Sequence, residues 1–140
     1  MANNFKRKPT ILIAADTGTL VSDIKKALAG QQCELFHANR TPQAIAILTA
    51  PNASIDLAIV ELEFPSGLDL IGHLIRQTPR TTKVMAASAF FNSAFLQRLK
   101  GLGVDDVAQC PLSRQTWRKA IENLLRGEVD SPGRPFGVIK

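Results

Sequence analysis

The side chains best suited to chemistry stand at the ends of short apolar runs. Asp16 follows Ile11-Leu12-Ile13-Ala14-Ala15, Glu61 closes Leu57-Ala58-Ile59-Val60, and Glu63 lies two residues further on. Ser88 ends the run Lys83-Val84-Met85-Ala86-Ala87, and Cys110 follows Asp106-Val107-Ala108-Gln109. Carboxylates gathered in one place suit a hard divalent cation, because Mg²⁺ commonly takes one or two of them and keeps its waters. Asp16, Glu61 and Glu63 are therefore the candidate set for weak Mg²⁺ binding, and no other cofactor is expected. Ser88 has no neighbouring histidine base, so a serine-hydrolase reading fails. His37 and His73 are isolated, with no partner at metal spacing, and read as ordinary surface or helix-face residues. Cys33 and Cys110 lie far apart, and no secretory segment is expected ahead of them. They read as reduced thiols of a cytoplasmic protein. With no fixed cation beside it, Cys110 is expected to be inert.

The elements that must position these residues alternate between two periods. Thr10 to Ala14 is short, apolar and β-branched, as a strand buried on both faces should be. Leu20, Val21, Ile24, Ala27 and Leu28 form a helical stripe over Thr19 to Ala29, with Gly30 placed as a C-cap. Cys33 to Ala38 is a second strand. Thr41, as N-cap, and Pro42 open a helix to about Ala50. Leu57 to Leu62 is a third strand, and Leu68 to about Gln77 a third helix. Lys83 to Ser88 is a fourth strand. Ser93 to Lys100 is helical, with Gly101 and Gly103 expected to stop it. Asp106 to Gln109 is a weak fifth strand. The last helix starts at the N-cap Ser113 and runs to Leu125, with Trp117, Ile121, Leu124 and Leu125 on one face. Gly101-Leu102-Gly103 precedes a strand rather than opening a helix, so it is no phosphate loop.

Five strands alternating with five helices predict an α/β fold with a parallel sheet covered on both faces. In such sheets ligands bind beyond the carboxyl ends of the strands. That rule brings Asp16, Glu61, Glu63, Ser88 and the Cys110-Pro111 pair to one rim. Three segments are expected: a basic N-terminal tail over 1–9, the domain over 10–126, and a flexible tail or linker over 127–140.

Bulk composition narrows the partners. Seventeen Lys and Arg against twelve Asp and Glu give a net charge of +5. Yet Lys6-Arg7-Lys8 is the single tight basic run, Tyr is absent and Trp117 is the sole Trp. A base-stacking platform is poorly supplied, so nucleic acid is a disfavoured partner. No apolar run approaches the roughly 20 residues that span a bilayer, and no membrane role is expected.

From Thr10 to Leu125 the ordered motifs resemble the receiver domain of two-component response regulators. The resemblance rests on Ile11 to Asp16, on Asp56-Leu57-Ala58-Ile59-Val60-Glu61, on Ser88-Ala89, on Gly103-Val104-Asp105-Asp106 and on Cys110-Pro111. It implies a flavodoxin-like sheet in the order 2-1-3-4-5. It also implies that receivers accept a phosphoryl group on Asp at the position of Glu61, with a metal held by acids and a Lys at the position of Cys110. This chain departs at those places: Ala15 replaces an acid, Glu61 the acceptor Asp and Cys110 the Lys. Val107 stands where receivers carry an aromatic switch residue. A carboxylate displaced by one methylene spoils in-line geometry, and displacements of about 1 Å can cost 10²-fold.

The resulting expectation is a phosphorylation-independent pseudo-receiver in a two-component pathway. It would be a binding module rather than an enzyme, acting on a protein partner or as a homodimer. The surface implied by the resemblance is that of helix four, strand five and helix five, which offers Arg98, Lys100, Asp105, Arg114, Trp117 and Arg118. Two alternatives stay open: a receiver that is still phosphorylated with Mg²⁺, and a regulator whose output is nucleic-acid binding.

Overall fold

The computed structural model describes residues 8–16, 18–50, 54–63, 67–76, 82–126 and 138–140. Strands β1 (Thr10–Ala14), β2 (Glu34–Ala38), β3 (Leu57–Glu61), β4 (Lys83–Ser88), β5 (Asp106–Gln109) and β6 (Val138–Ile139) form one sheet. Their order is β2-β1-β3-β4-β5-β6, and every pairing is parallel. Helices α1 (Gly18–Ala27), α2 (Thr41–Thr49), α3 (Gly67–Ile75), α4 (Ser93–Leu102) and α5 (Arg114–Leu125) fill the crossovers.

Side chains alternate across the pleat, and this divides the core into two layers. Ile11, Ile13, Leu57, Ile59, Met85 and Ala108 pack with Leu20, Val21 and Ile24 of α1 and with Trp117 and Ile121 of α5. Leu12, Ala14, Ala58, Val60, Val84, Ala86 and Val107 pack on the other side with Ala44 of α2, Leu70 and Ile71 of α3, and Leu99 of α4. A strand with a helix layer on each face is apolar through its middle, and β3, buried throughout, is apolar from Leu57 to Val60. β2 lies at the sheet edge and keeps Glu34, Phe36 and His37 exposed.

Several expectations need correction at the element ends. α2 includes Thr41 itself, and its N-cap is Arg40, which makes no side-chain capping bond. Pro42 fixes the first turn there. Gly101 lies inside α4, which ends at Gly103. The Gly103 backbone takes φ +96° and donates to the carbonyls of Leu99 and Lys100, the left-handed cap that glycine permits. Asn92, not anticipated, caps α4 by accepting from Phe95 N at 2.8 Å. Ser113 caps α5 as expected, accepting from Thr116 N at 3.1 Å.

The C-terminal segment is the largest departure. Residues 127–137, and residues 1–7 of the basic tail, lie outside the described residues, but Val138 and Ile139 form a sixth strand on β5. Two residues are too short a run for any period to show.

Candidate functional site

Glu61 ends β3 opposite Ala87, and the ladder continues one step through Leu62 N donating to Ala87 O at 2.8 Å. This register sets the chain after β3 beside the end of β4. The Glu61 side chain is only 9% exposed, and its Oε1 accepts from the backbone N of Asp16 at 3.0 Å. The loop after β1 is thereby tied to the end of β3. Ala15, buried completely, is held from the other side: its N donates to Ala38 O, and its carbonyl lies 3.0 Å from His37 Nε2. That contact of His37 has no signal in the sequence, since the two residues are brought together by the pairing of β1 with β2.

Ser88, 5% exposed, donates its hydroxyl to Glu63 Oε2 at 2.7 Å. Hydrogen bonds to an ionised carboxylate are among the stronger kinds. The Ser88 oxygen also accepts a longer bond, 3.4 Å, from Phe90 N. The Ser88 carbonyl accepts from Cys110 N at 2.8 Å, so β3, β4 and β5 deliver Glu61, Glu63, Ser88 and Cys110 to one rim. Burial pushes the Cys110 thiol up, and the negative charges of Glu61, Glu63 and Asp23 push it further, to about 11. Asp23, on α1, was not foreseen, because helix and rim meet only in the folded chain. The charges acting on this thiol are all negative. A dianionic phosphoryl group would meet repulsion here, with no cation in the place of Cys110 to offset it.

The metal set fits poorly. Asp16 contributes its backbone to Glu61, its side chain is exposed, and Glu63 is engaged by Ser88. Among the described residues no three His, Cys, Asp or Glu side chains are grouped to hold a metal ion. Glu61 thus accepts from the Asp16 backbone and Glu63 from Ser88, while the Asp16 carboxylate faces solvent.

The interface set divides. Arg98 and Lys100 on α4 and Arg114 on α5 are exposed. Trp117 is not: it is fully buried in the α1–α5 layer, so it is core and no surface anchor. Arg118 points away from β5, donating Nε to Ala27 O of α1 at 2.8 Å. Asp105 accepts from Val84 N at 2.7 Å and so fastens the start of β4. The sequence hid one surface feature. Phe90, two residues after the site serine, is 69% exposed beside the stacked pair Phe91–Phe95. An aromatic pair inside a polar loop was the available signal.

No protein-family model matches the chain, and no curated protein matches its sequence. Solved structures do match. A response regulator from Thermotoga maritima superposes with a TM-score of 0.76 at 21% identity, covering 86% of this chain and 99% of the other. The phosphorylated cyanobacterial phytochrome response regulator RcpA gives 0.76 at 19%, covering 88% and 98%. The chemotaxis response regulator CheY4 of Vibrio cholerae gives 0.73 at 17%, covering 84% and 99%. The fold of this chain is that of response-regulator receiver domains.

Proposed function

We propose that the chain is a receiver-type signalling domain that transmits by protein contact and does not depend on phosphorylation. The observation that carries this reading is the 2.7 Å bond from Ser88 to Glu63. The Ser88 hydroxyl, placed to meet an incoming phosphoryl oxygen, already serves an acid of the chain itself. Glu61 at the acceptor position and a protonated Cys110 thiol in place of a cation support the same conclusion. In this reading the domain is a binding module without enzymatic turnover.

The contact surface in this reading is the face of α4, β5 and α5. α4 carries no acid, and on α5 the single acid, Glu122, approaches Arg126 at 4.0 Å. Exposed Arg98, Lys100, Arg114 and Lys119 leave the face cationic. Such a surface favours an acidic partner mainly through association rate and selection against wrong partners.

The test is a two-dimensional amide spectrum with and without Mg²⁺ and beryllofluoride. The expected spectrum is unchanged by both. Saturable shifts at Asp16, Glu61, Ser88 and α4 would overturn the phosphorylation-independent reading.

A further inference from the structure

The sheet ends on a strand that the chain supplies after α5. β6 lies parallel to β5, with Val107 opposite Val138 and Ala108 opposite Ile139. Its two side chains serve opposite layers: Val138 packs with Leu99 and its neighbours, Ile139 with the layer of Trp117. Both remain half-exposed. Beside Ile139 an open cleft of about 320 Å³ runs between β5 and α5, lined by Asp106, Gln115, Thr116, Lys119, Ala120 and Asn123. The pairing register spans two of the four residues of β5.

A strand edge is a row of backbone donors and acceptors that any extended segment can extend, while its flanking side-chain positions select the sequence. Here the occupant already in place shows what the edge selects: two successive β-branched aliphatic residues, one for each layer. The same occupant is weakly anchored. It is two residues long and half-exposed, and it pairs with only two of the four residues of β5.

We propose that the β5 edge is a strand-docking site for a protein partner, and that Val138–Ile139 is its resident, displaceable occupant. The partner supplies an extended segment with paired branched aliphatic residues and adds to the sheet as the sixth strand. This inference rests on the contact role proposed above for the α4–β5–α5 face. A second copy of the chain is a poorer occupant. With a net charge of +5, it would bring Lys119 and its cationic neighbours against their own counterparts.

The experiment uses the full chain carrying Val138→Asp and Ile139→Asp, which cannot seat its own strand, beside the unaltered chain. The probe is a synthetic peptide of residues 134–140, followed by amide spectra recorded without Mg²⁺ or beryllofluoride. Saturable shifts at Val107 and Ala108 are expected in the variant. Binding to the unaltered chain should be at least about tenfold weaker, because the tethered strand competes at high effective concentration. A peptide carrying aspartate at both aliphatic positions should bind neither. Absence of binding to a folded variant, or equal binding to both chains, would overturn the inference.

If the variant fails to fold, hydrogen exchange in the unaltered chain decides. Amides of β6 should exchange at least about a hundredfold faster than those of Leu12 and Ile59, as a locally opening strand requires. Equal protection would overturn displacement. A dimer of the unaltered chain that disappears in the double variant would assign the edge to a second copy and overturn the partner assignment. The two readings fail separately: a response to beryllofluoride removes phosphorylation independence alone, and a silent peptide titration removes strand docking alone.

Discussion

Alkylation of Cys110 at pH 8 should run about 100-fold slower than that of an ordinary thiol, because only the thiolate reacts. The magnitude follows from the site. A thiol of pKa 9.0 is roughly 10% ionised at pH 8, and one raised to about 11 is roughly 0.1% ionised. Burial is the largest cause, followed by Glu61, Glu63 and Asp23. Each acid therefore offers a separate handle. The assay is timed iodoacetamide labelling read by mass spectrometry in a Cys33→Ser background, repeated across pH. Steric shielding lowers the whole rate profile without moving its inflection, so the inflection reports desolvation and nearby charge together, and the acid-to-amide variants isolate the charge. It should lie near 11 and shift down in Glu61→Gln and Glu63→Gln. An inflection that neither acid-to-amide variant moves would refute an acid-lined rim. The sign for stability follows from linkage. Both folded and unfolded chains keep the proton well below pH 9. Between about 9 and 11 the unfolded chain loses it first, so the stability contributed by Cys110 falls as pH rises through that window.

The remaining predictions address the core and the rim. Trp117→Ala should cost about 3–5 kcal/mol, the usual range for deleting a fully buried aromatic. Trp117→Phe should cost less than about 1.5 kcal/mol, since it also removes a buried indole N–H that has no hydrogen-bond partner. Thermal unfolding separates the two variants, and a fully stable Trp117→Ala chain would show the residue to be superficial. Arg118→Ala should lose about 1–2 kcal/mol with the bond to Ala27 O, measured by urea unfolding, and leave self-association unchanged. The double variant Glu61→Asp, Cys110→Lys should acquire Mg²⁺-dependent beryllofluoride shifts at Ser88. A silent spectrum from that variant would mean that other residues keep the rim inactive.

What the linear chain determined on its own is periodicity and the ends of strands. Uninterrupted apolar runs such as Leu57-Ala58-Ile59-Val60 require helices on both faces, and the α/β alternation follows from them. Because ligand positions in such a sheet lie beyond the strand ends, the sequence alone sets Glu61, Ser88 and Cys110 on one rim. Folding alone decided how those residues are spent, because hydrogen bonds between residues 25 and 45 positions apart depend on register. Register turned Ser88 to Glu63 and the Asp16 amide to Glu61. The helix stripe of α5 was legible, but not which neighbour covers it: packing against α1 took Trp117 into the core and Arg118 to Ala27. β6 shows the same limit most plainly. Two branched residues after a Pro- and Gly-containing stretch carry no periodic signal, and become a strand only because β5 presents an edge for them to complete.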